Sequence, residues 1–574
     1  MSKYRYSRRK FLKMAGALGA TTACAPLFTS AGQWNRSGIG SNPADSDYPF
    51  PYDSNYFDAS ERIVFLDTNT LSLNILPKDG ANLDIRVTYP HEDRISIQSR
   101  SINFTGVKSS LEIPLPSQLW DPVFNYRIEY RQNGESSWKA TPLRNVKTPL
   151  SYLQTGKMEI ILIGDDHVPD DADMGETILE DQTLRDKRLS GEYVNDFIQE
   201  LLRDPTYYPD PDTEYAKLMN GFTFASMVHQ IYKNENPDFI VHLGDHRGGF
   251  GHKWLGLGLK GQFDMTDPEM DQVLEMFRIG TRKVFSALSP NIPIYWTLGN
   301  HDGELGYQRH RGMAVAHRKR LFKQPGAAEG GSADENYFPL FWGQRTHSRG
   351  DWINTSFNGI LFMFLDSQGY VTRFPTLPSS WTLGQTQKQW FENILKTDAM
   401  HKFVFQHHVL GGWPAGPDEG RTDIAYGRGP LFIQDDYKGL VTDPTRIEQV
   451  ELTQMMKDAR VNNIFYGHDH IFYSKEIGRE INGHKLHGLC VGSPKHVGEI
   501  PWYEGDFFRQ FYGDYGDYGG DDTQADFWGP SGYTKVTIDK DGVRADYIRS
   551  ADNNPYTNIP RKFNVGDTIH SILY

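Results

Sequence analysis

The hydrophobic pattern changes character once along this chain, near residue 150. From about residue 60 to 149, apolar and polar positions alternate in short runs: Arg62–Leu66, Leu71–Ile75, Leu83–Tyr89, Ile95–Ile102, Ser110–Pro114, Tyr126–Tyr130 and Trp138–Pro142. Turn-forming stretches such as Pro77-Lys78-Asp79-Gly80 and Gln132-Asn133-Gly134 separate them. Period-two alternation marks strands with one buried face, and a series of such strands predicts an antiparallel β-sandwich over 59–150.

Beyond Thr148-Pro149 the apolar runs become continuous, as in strands buried on both faces. They are Met158–Ile163, Phe239–Leu243, Ile294–Leu298, Ile360–Leu365, Phe403–Gln406, Ile464–Tyr466 and Leu486–Val491. Helix-period segments lie between them: Tyr215–Lys233, Met270–Leu288, Gln385–Leu395 and Ile447–Ala459. Each places apolar residues on one face, as Leu218, Phe222 and Ala225 do in the first. Strands alternating with helices predict a layered α/β domain, here 151–550, followed by a tail at 551–574. Two long loops, 168–212 and the aromatic, Gly-rich 505–529, stand out as candidate covers for a site.

At 574 residues the chain is too long for a single core. A formal net charge of −13 disfavours broad nucleic-acid binding, which rests on basic patches. The two cysteines, Cys24 and Cys490, offer no disulfide framework, and Cys490 lies in an apolar run that reads as core. Ser7-Arg8-Arg9-Lys10-Phe11-Leu12-Lys13 precedes an apolar run from Met14 to Phe28. A basic start, a short apolar stretch and small residues after it predict an export signal over 1–31, then a linker over 32–58. The paired arginines resemble a twin-arginine signal, so a periplasmic or extracellular location is expected. The apolar run is shorter than the ~20 residues that span a bilayer, so no transmembrane anchor is expected. Attachment of lipid at Cys24 is an alternative fate.

The chemistry lies where the strands end. Ile160-Ile161-Leu162-Ile163 runs into Gly164-Asp165-Asp166-His167. Phe239–Leu243 runs into Gly244-Asp245, and Ile294–Leu298 into Gly299-Asn300-His301-Asp302. Phe403–Gln406 meets His407-His408, and Ile464–Tyr466 meets Gly467-His468-Asp469-His470. Five strands thus deliver metal-capable side chains at their carboxyl ends, where ligands bind in open α/β sheets. A glycine before four of the five clusters is consistent with a sharp turn there.

This order of Asp-x-His, Gly-Asp, Gly-Asn-His-Asp, His and Gly-His-x-His resembles the calcineurin-like metallophosphoesterase family, over roughly residues 156–500. The resemblance implies a four-layer α/β/β/α sandwich with two metal ions at the strand ends. It implies that Asp165, His167 and His470 hold one ion, that Asn300, His407 and His468 hold the other, and that Asp245 bridges them. It also implies that His301 donates a proton to the leaving group, with Asp302 orienting it. Mixed nitrogen and oxygen donors suit Zn, Fe or Mn. Two cations ~3.5–4 Å apart can neutralise a phosphoryl group and hold a hydroxide for in-line attack.

The expected activity is hydrolysis of phosphate mono- or diesters, on a small phosphorylated substrate. The N-terminal sandwich resembles the fibronectin type III-like domains that precede catalytic domains in some secreted phosphatases. Position 248 is Gly, where purple acid phosphatases carry a ligand tyrosine, so a tyrosinate-ligated ferric site is not expected. Arg309-His310-Arg311 and His317–Arg320 are a candidate phosphate clamp or a solvated helix face. A competing reading is a cell-surface binding protein with a vestigial metal site, which predicts a lost ligand.

Overall fold

The computed structural model describes, with short gaps, residues 52–167, 219–246, 275–302, 318–344, 356–370, 381–410, 444–494, 519–550 and 564–574. The first eight strands are β1 (Phe57–Asp67), β2 (Thr70–Pro77), β3 (Asn82–Pro90), β4 (Ile97–Thr105), β5 (Ser109–Pro114), β6 (Val123–Gln132), β7 (Lys139–Ala140) and β8 (Arg144–Lys147). They pair antiparallel in two sheets, β1-β2-β5 and β4-β3-β6-β7, with β8 also on β6. The alternation is realised: Leu83, Ile85, Val87 and Tyr89 on β3 are all buried. The sequence reading missed β8, which is only four residues long.

A short helix α1 (Ser151–Thr155) leads into the α/β part. Its strands are β9 (Met158–Ile163), β10 (Phe239–His242), β11 (Ile294–Trp296), β12 (Phe338–Gln344), β13 (Ser356–Phe364), β14 (Gly369–Tyr370), β15 (Trp381–Thr382) and β16 (Asp398–Phe405). They continue with β17 (Asn463–Tyr466), β18 (Phe472–Glu476), β19 (His487–Val491), β20 (Gly519–Asp522), β21 (Ala525–Trp528), β22 (Gly532–Asp539), β23 (Gly542–Arg549) and β24 (Thr568–Leu573). Three longer helices are α2 (Met219–Asn234), α3 (Gly384–Ile394) and α4 (Pro444–Asp458). Of the expected helix 270–288, the described residues are 275 and 278–288.

One sheet has the order β11-β10-β9-β22-β23-β24 and the other β12-β13-β16-β17-β19-β18-β21-β20. The parallel strands β9, β10 and β11 in the first, and β13, β16, β17 and β19 in the second, form the centres. Side-chain alternation assigns the layers. Ile160, Leu162, Phe239 and Val241 join Phe362, Phe364, Phe403, Phe405 and Phe465 in the core between the sheets. Their neighbours Ile161, Ile163, Ile240 and Ile294 pack outward against Ala225, Val228 and Ile231 of α2. On the far side, Leu361, Met363, Val404 and Ile464 pack against Phe391 and Ile394 of α3 and Leu452 and Met456 of α4. This is the expected four-layer α/β/β/α arrangement. Each buried aliphatic or Phe side chain contributes about 2 kcal/mol, which offsets the chain entropy of ordering the layers.

Two sequence expectations differ from the structure. The stretch 551–574 is not a tail throughout, because β24 pairs with β23 and closes the first sheet. Within 505–529, residues 519–528 form the β20–β21 hairpin on the edge of the second sheet. The remainder of 505–529, like loop 168–212, lies outside the described residues. So do the proposed signal and most of the linker.

The sandwich is welded to the α/β part. Its residues Phe65, Leu73, Ile85 and Tyr126 belong to the same apolar cluster as Ile160, Trp342 and Phe362. Arg62, fully buried, donates to the carbonyls of Lys323 (2.6 Å) and Ile294. Arg282 reaches back to the carbonyls of Ser60 (2.8 Å) and Asn74 (3.1 Å).

Candidate metal centre

Five loop starts converge at one edge of the two sheets. The ladder hydrogen bonding runs on past the strand ends and stitches the loops together. Asp165 N–H donates to the Gly244 carbonyl (2.9 Å), and His167 N–H to that of Asp245 (3.0 Å). Gly467 N–H donates to the His407 carbonyl (3.1 Å) across the second sheet. The sheets themselves are joined by His468 N–H, which lies 2.8 Å from both carboxylate oxygens of Asp165.

The glycines are there mainly because the loops pass so close. A Cβ on Gly299 would stand 2.2 Å from Asp245 Oδ1, and one on Gly467 would stand 2.5 Å from Asp165 Oδ2. Gly244 combines such crowding, 2.4 Å from Gly299 N, with a positive φ of 93°. Among the other residues with positive φ are Asp165 (56°), His167 (45°), Asp245 (53°) and His468 (77°), all candidate ligands. Each such non-glycine conformation costs roughly 1–2 kcal/mol. Strain held at one cluster in this way is typical of functional sites.

The buried Asp245 carboxylate is the centre of the cluster. Its Oδ2 lies 3.2 Å from His407 Nε2, 3.7 Å from His167 Nε2 and 3.9 Å from His468 Nδ1. Ligand-capable atoms of Asp165, Asp245 and His407 lie within 4.8 Å of one another, as do those of His407, His408 and His468. The first group spans the two ligand sets that the family resemblance assigns to separate ions, as expected if Asp245 lies between them. His408 sits beside His407 and His468 and bonds Ser367 Oγ through Nδ1 (2.6 Å).

Electrostatics follow from burial. Burial alone would lower the pKa of His407, but Asp245 and Asp165 beside it, with the Leu243 carbonyl, raise it to about 9. Protonated His407 donates Nδ1–H to Leu243 O (2.7 Å) and turns Nε2–H toward Asp245 and His468 Nδ1 (2.8 Å). A proton therefore stands among donors that a cation could share, and the set of carboxylate oxygens and imidazole nitrogens fits Zn, Fe or Mn. Asp302 is buried, and burial together with the Asp245 charge raises its pKa. Its Oδ2 accepts from the N–H groups of Gly299 (2.7 Å) and Asp245 (2.9 Å), so it pins the β11 loop to Asp245. The expected orienting of His301 by Asp302 involves a residue outside the described ones.

Of the expected ligands, Asp165, His167, Asp245, His407 and His468 are brought together. Asn300, His301 and His470 lie outside the described residues. His246 is buried and bonds Asp166 Oδ2 through Nδ1 (2.7 Å). Sequence reasoning also passed over Asp166 and His242, which bond each other (3.1 Å). The available signal was that His242 is the polar residue in the run Phe239–Leu243. From the basic stretch, Arg309, Arg311 and His317 lie outside the described residues, whereas Arg320 pairs with Glu275 (2.8 Å). Cys490 is buried, as expected of a core residue, and its thiol donates to the Gly467 carbonyl (3.4 Å). Among the described residues no helix is long and apolar enough to cross a membrane.

Residues 220–472 match the family model described as calcineurin-like phosphoesterase. No curated protein matches the chain. Among solved structures it is similar to purple acid phosphatase PPD1 from yellow lupin (Lupinus luteus) seeds, at 12% identity and a TM-score of 0.49, covering 89% of this chain and 73% of that one. It is also similar to GAP50, the anchor in the inner membrane complex of Plasmodium, at 14% identity and a TM-score of 0.29, covering 73% of this chain and 88% of that one. Asp165 and His167 lie upstream of the matched segment, yet β9, which leads into them, pairs with β10 inside it. Residues 220–472 carry a calcineurin-like phosphoesterase domain.

Proposed function

We propose that the chain is an exported hydrolase of phosphate mono- or diesters that works with two metal ions sharing Asp245. The observation that carries the reading is the ring of three imidazole nitrogens within 3.9 Å of a single buried carboxylate oxygen, Asp245 Oδ2. A lone structural carboxylate has no need of three histidines. When bound, two cations supply charge neutralisation of the phosphoryl oxygens and acidify a coordinated water.

The chain's own residues do the rest. Asp165, His167 and Asp245 come from one sheet, and His407 and His468 from the other, so closing the sandwich assembles the donor set. Asp302 and the backbone of Gly244 and Gly299 fix Asp245 before any substrate arrives, which is preorganisation of the kind that lowers a barrier. The Leu243 carbonyl orients the His407 ring, leaving Nε2 toward Asp245. In this reading Asn300 and His470 complete the donor set, and His301 gives its proton to the leaving alkoxide. The twin-arginine segment would carry the protein across the membrane already folded and metal-loaded.

The test is a panel of phosphomonoesters, phosphodiesters and nucleotides, assayed after chelation and again with Mn, Zn, Fe or Ca restored. Hydrolysis should vanish on chelation, return with at least one of the transition metals, and fall at least about 100-fold in Asp245→Asn. Hydrolysis indifferent to chelation, or none on any ester with full metal loading, contradicts the proposal. The second outcome would favour a binding protein with a vestigial site.

A further inference from the structure

Behind the candidate ligands, on the helix side of the first sheet, lies a second buried cluster formed by Asp166, His242 and His246. Asp166 Oδ1 is 3.1 Å from His242 Nε2, and Oδ2 is 2.7 Å from His246 Nδ1. His242 Nδ1 accepts the Gly244 N–H (3.1 Å), so its proton sits on Nε2 and points at Asp166. His246 Nε2 bonds Thr281 Oγ1. His242 stacks flat on Trp296 at 4.1 Å, and Phe224 meets His246 edge-on at 5.2 Å. The ligand-capable atoms of the three lie within 4.8 Å of one another. Every one of these atoms already has a protein partner, and aromatic rings close the cluster off, so this is a network rather than a third ion site.

We infer that Asp166 is a positioning residue whose carboxylate, by tying His242 on β10 to His246 beyond it, holds Asp165, His167 and Asp245 in their ligating conformation. The inference rests on the metal-dependent reading above. Asp166 is the residue between Asp165 and His167, and His246 is the residue after Asp245. The clamp therefore joins the two loops whose backbones are held at φ values of 56°, 45° and 53°. Conformations of that kind persist only where the surroundings over-determine them. The backbone bonds Asp165 N–H to Gly244 O and His167 N–H to Asp245 O stitch these loops on one side. The carboxylate closes them on the other, and its loss leaves two buried imidazoles without their acceptor.

The experiment measures Mn binding and thermal melting on chelated full-length wild type, Asp166→Asn, His246→Ala and His246→Asn, well below the melting temperature. Removing a partner behind metal ligands typically weakens binding about 10- to 100-fold, and that loss is expected for Asp166→Asn and His246→Ala. His246→Asn places an amide N–H where Nδ1–H stood, and should recover about tenfold of the loss. Wild-type affinity in Asp166→Asn with only a lower Tm would make the clamp purely structural and overturn the inference. Loss of one whole Mn equivalent with the rest unchanged would make Asp166 a ligand, with the same consequence. A wild type that takes up no Mn overturns the metal reading itself, and the inference with it. Should Asp166→Asn fail to fold, the His246 pair decides by the same criterion: equal loss in both variants overturns the inference.

Discussion

The cluster around Asp245 makes quantitative demands on single residues. Gly299→Ala places a methyl 2.2 Å from Asp245 Oδ1 and 2.3 Å from its backbone nitrogen, neither of which can retreat without moving the Asp245 carboxylate. Overpacking of this kind costs typically about 1–3 kcal/mol. A denaturant titration should show that loss together with a fall in activity of at least about 100-fold; unchanged activity would contradict the role given to Asp245. His407 sets the pH dependence. In the metal-free protein its pKa rises from 6.5 to about 9. The raised value means stability that is fully present below about pH 6.5 and is lost as the pH rises through about 9. Metal binding at Nε2 must displace that proton, so apparent affinity should climb up to about tenfold per pH unit between those values and level off above them. Calorimetric titration across that range checks this, and an affinity that falls as pH rises would contradict it. The metal-capable residues were legible because each directly follows an apolar run, a contrast that needs no knowledge of the fold. Asp166, His242 and His246 were not read as a unit. Their pairing depends on β9 lying beside β10 in register, which only the assembled sheet provides.

At the scale of elements, the parallel strands were read because their apolar residues run on without a break, whereas β18, β22 and β23, where apolar and polar residues mix, were passed over. β12 was missed, as Pro339 and Gly343 interrupt its pattern, and β24 was missed behind a stretch rich in Asn, Pro and Gly at 551–566. Both earn their place through neighbours, β13 and β23, rather than through local propensity. The buried ion pair between Glu61 on β1 and Arg144 on β8 (2.8 Å) offers an element-level test. Arg144→Met leaves Glu61 buried without its cation, which should cost about 3–5 kcal/mol in unfolding free energy. Changing both residues, Glu61→Met with Arg144→Met, should recover most of that loss. If the single variant loses under about 1 kcal/mol, the pair does not hold β8 to β1.

For the whole molecule, the shared core and the buried arginines make the N-terminal sandwich a structural part of the enzyme. Phe65, Leu73, Ile85 and Tyr126 of the sandwich share one apolar cluster with Ile160, Trp342 and Phe362. Arg62, whose pKa burial lowers to about 9, binds the carbonyl of Ile294 at the start of β11, the strand that leads to Gly299. A chain beginning at residue 151 should therefore be insoluble or molten, with weak near-ultraviolet dichroism; a soluble, active fragment would show that the sandwich is dispensable. The proposed chemistry requires two ions sharing Asp245. The direct measurement is anomalous diffraction from crystals of the metal-loaded protein, collected on both sides of the absorption edge. It should show two peaks about 3.5–4 Å apart with the Asp245 carboxylate between them. Peaks elsewhere, or none in protein that elemental analysis shows to be loaded, would contradict it.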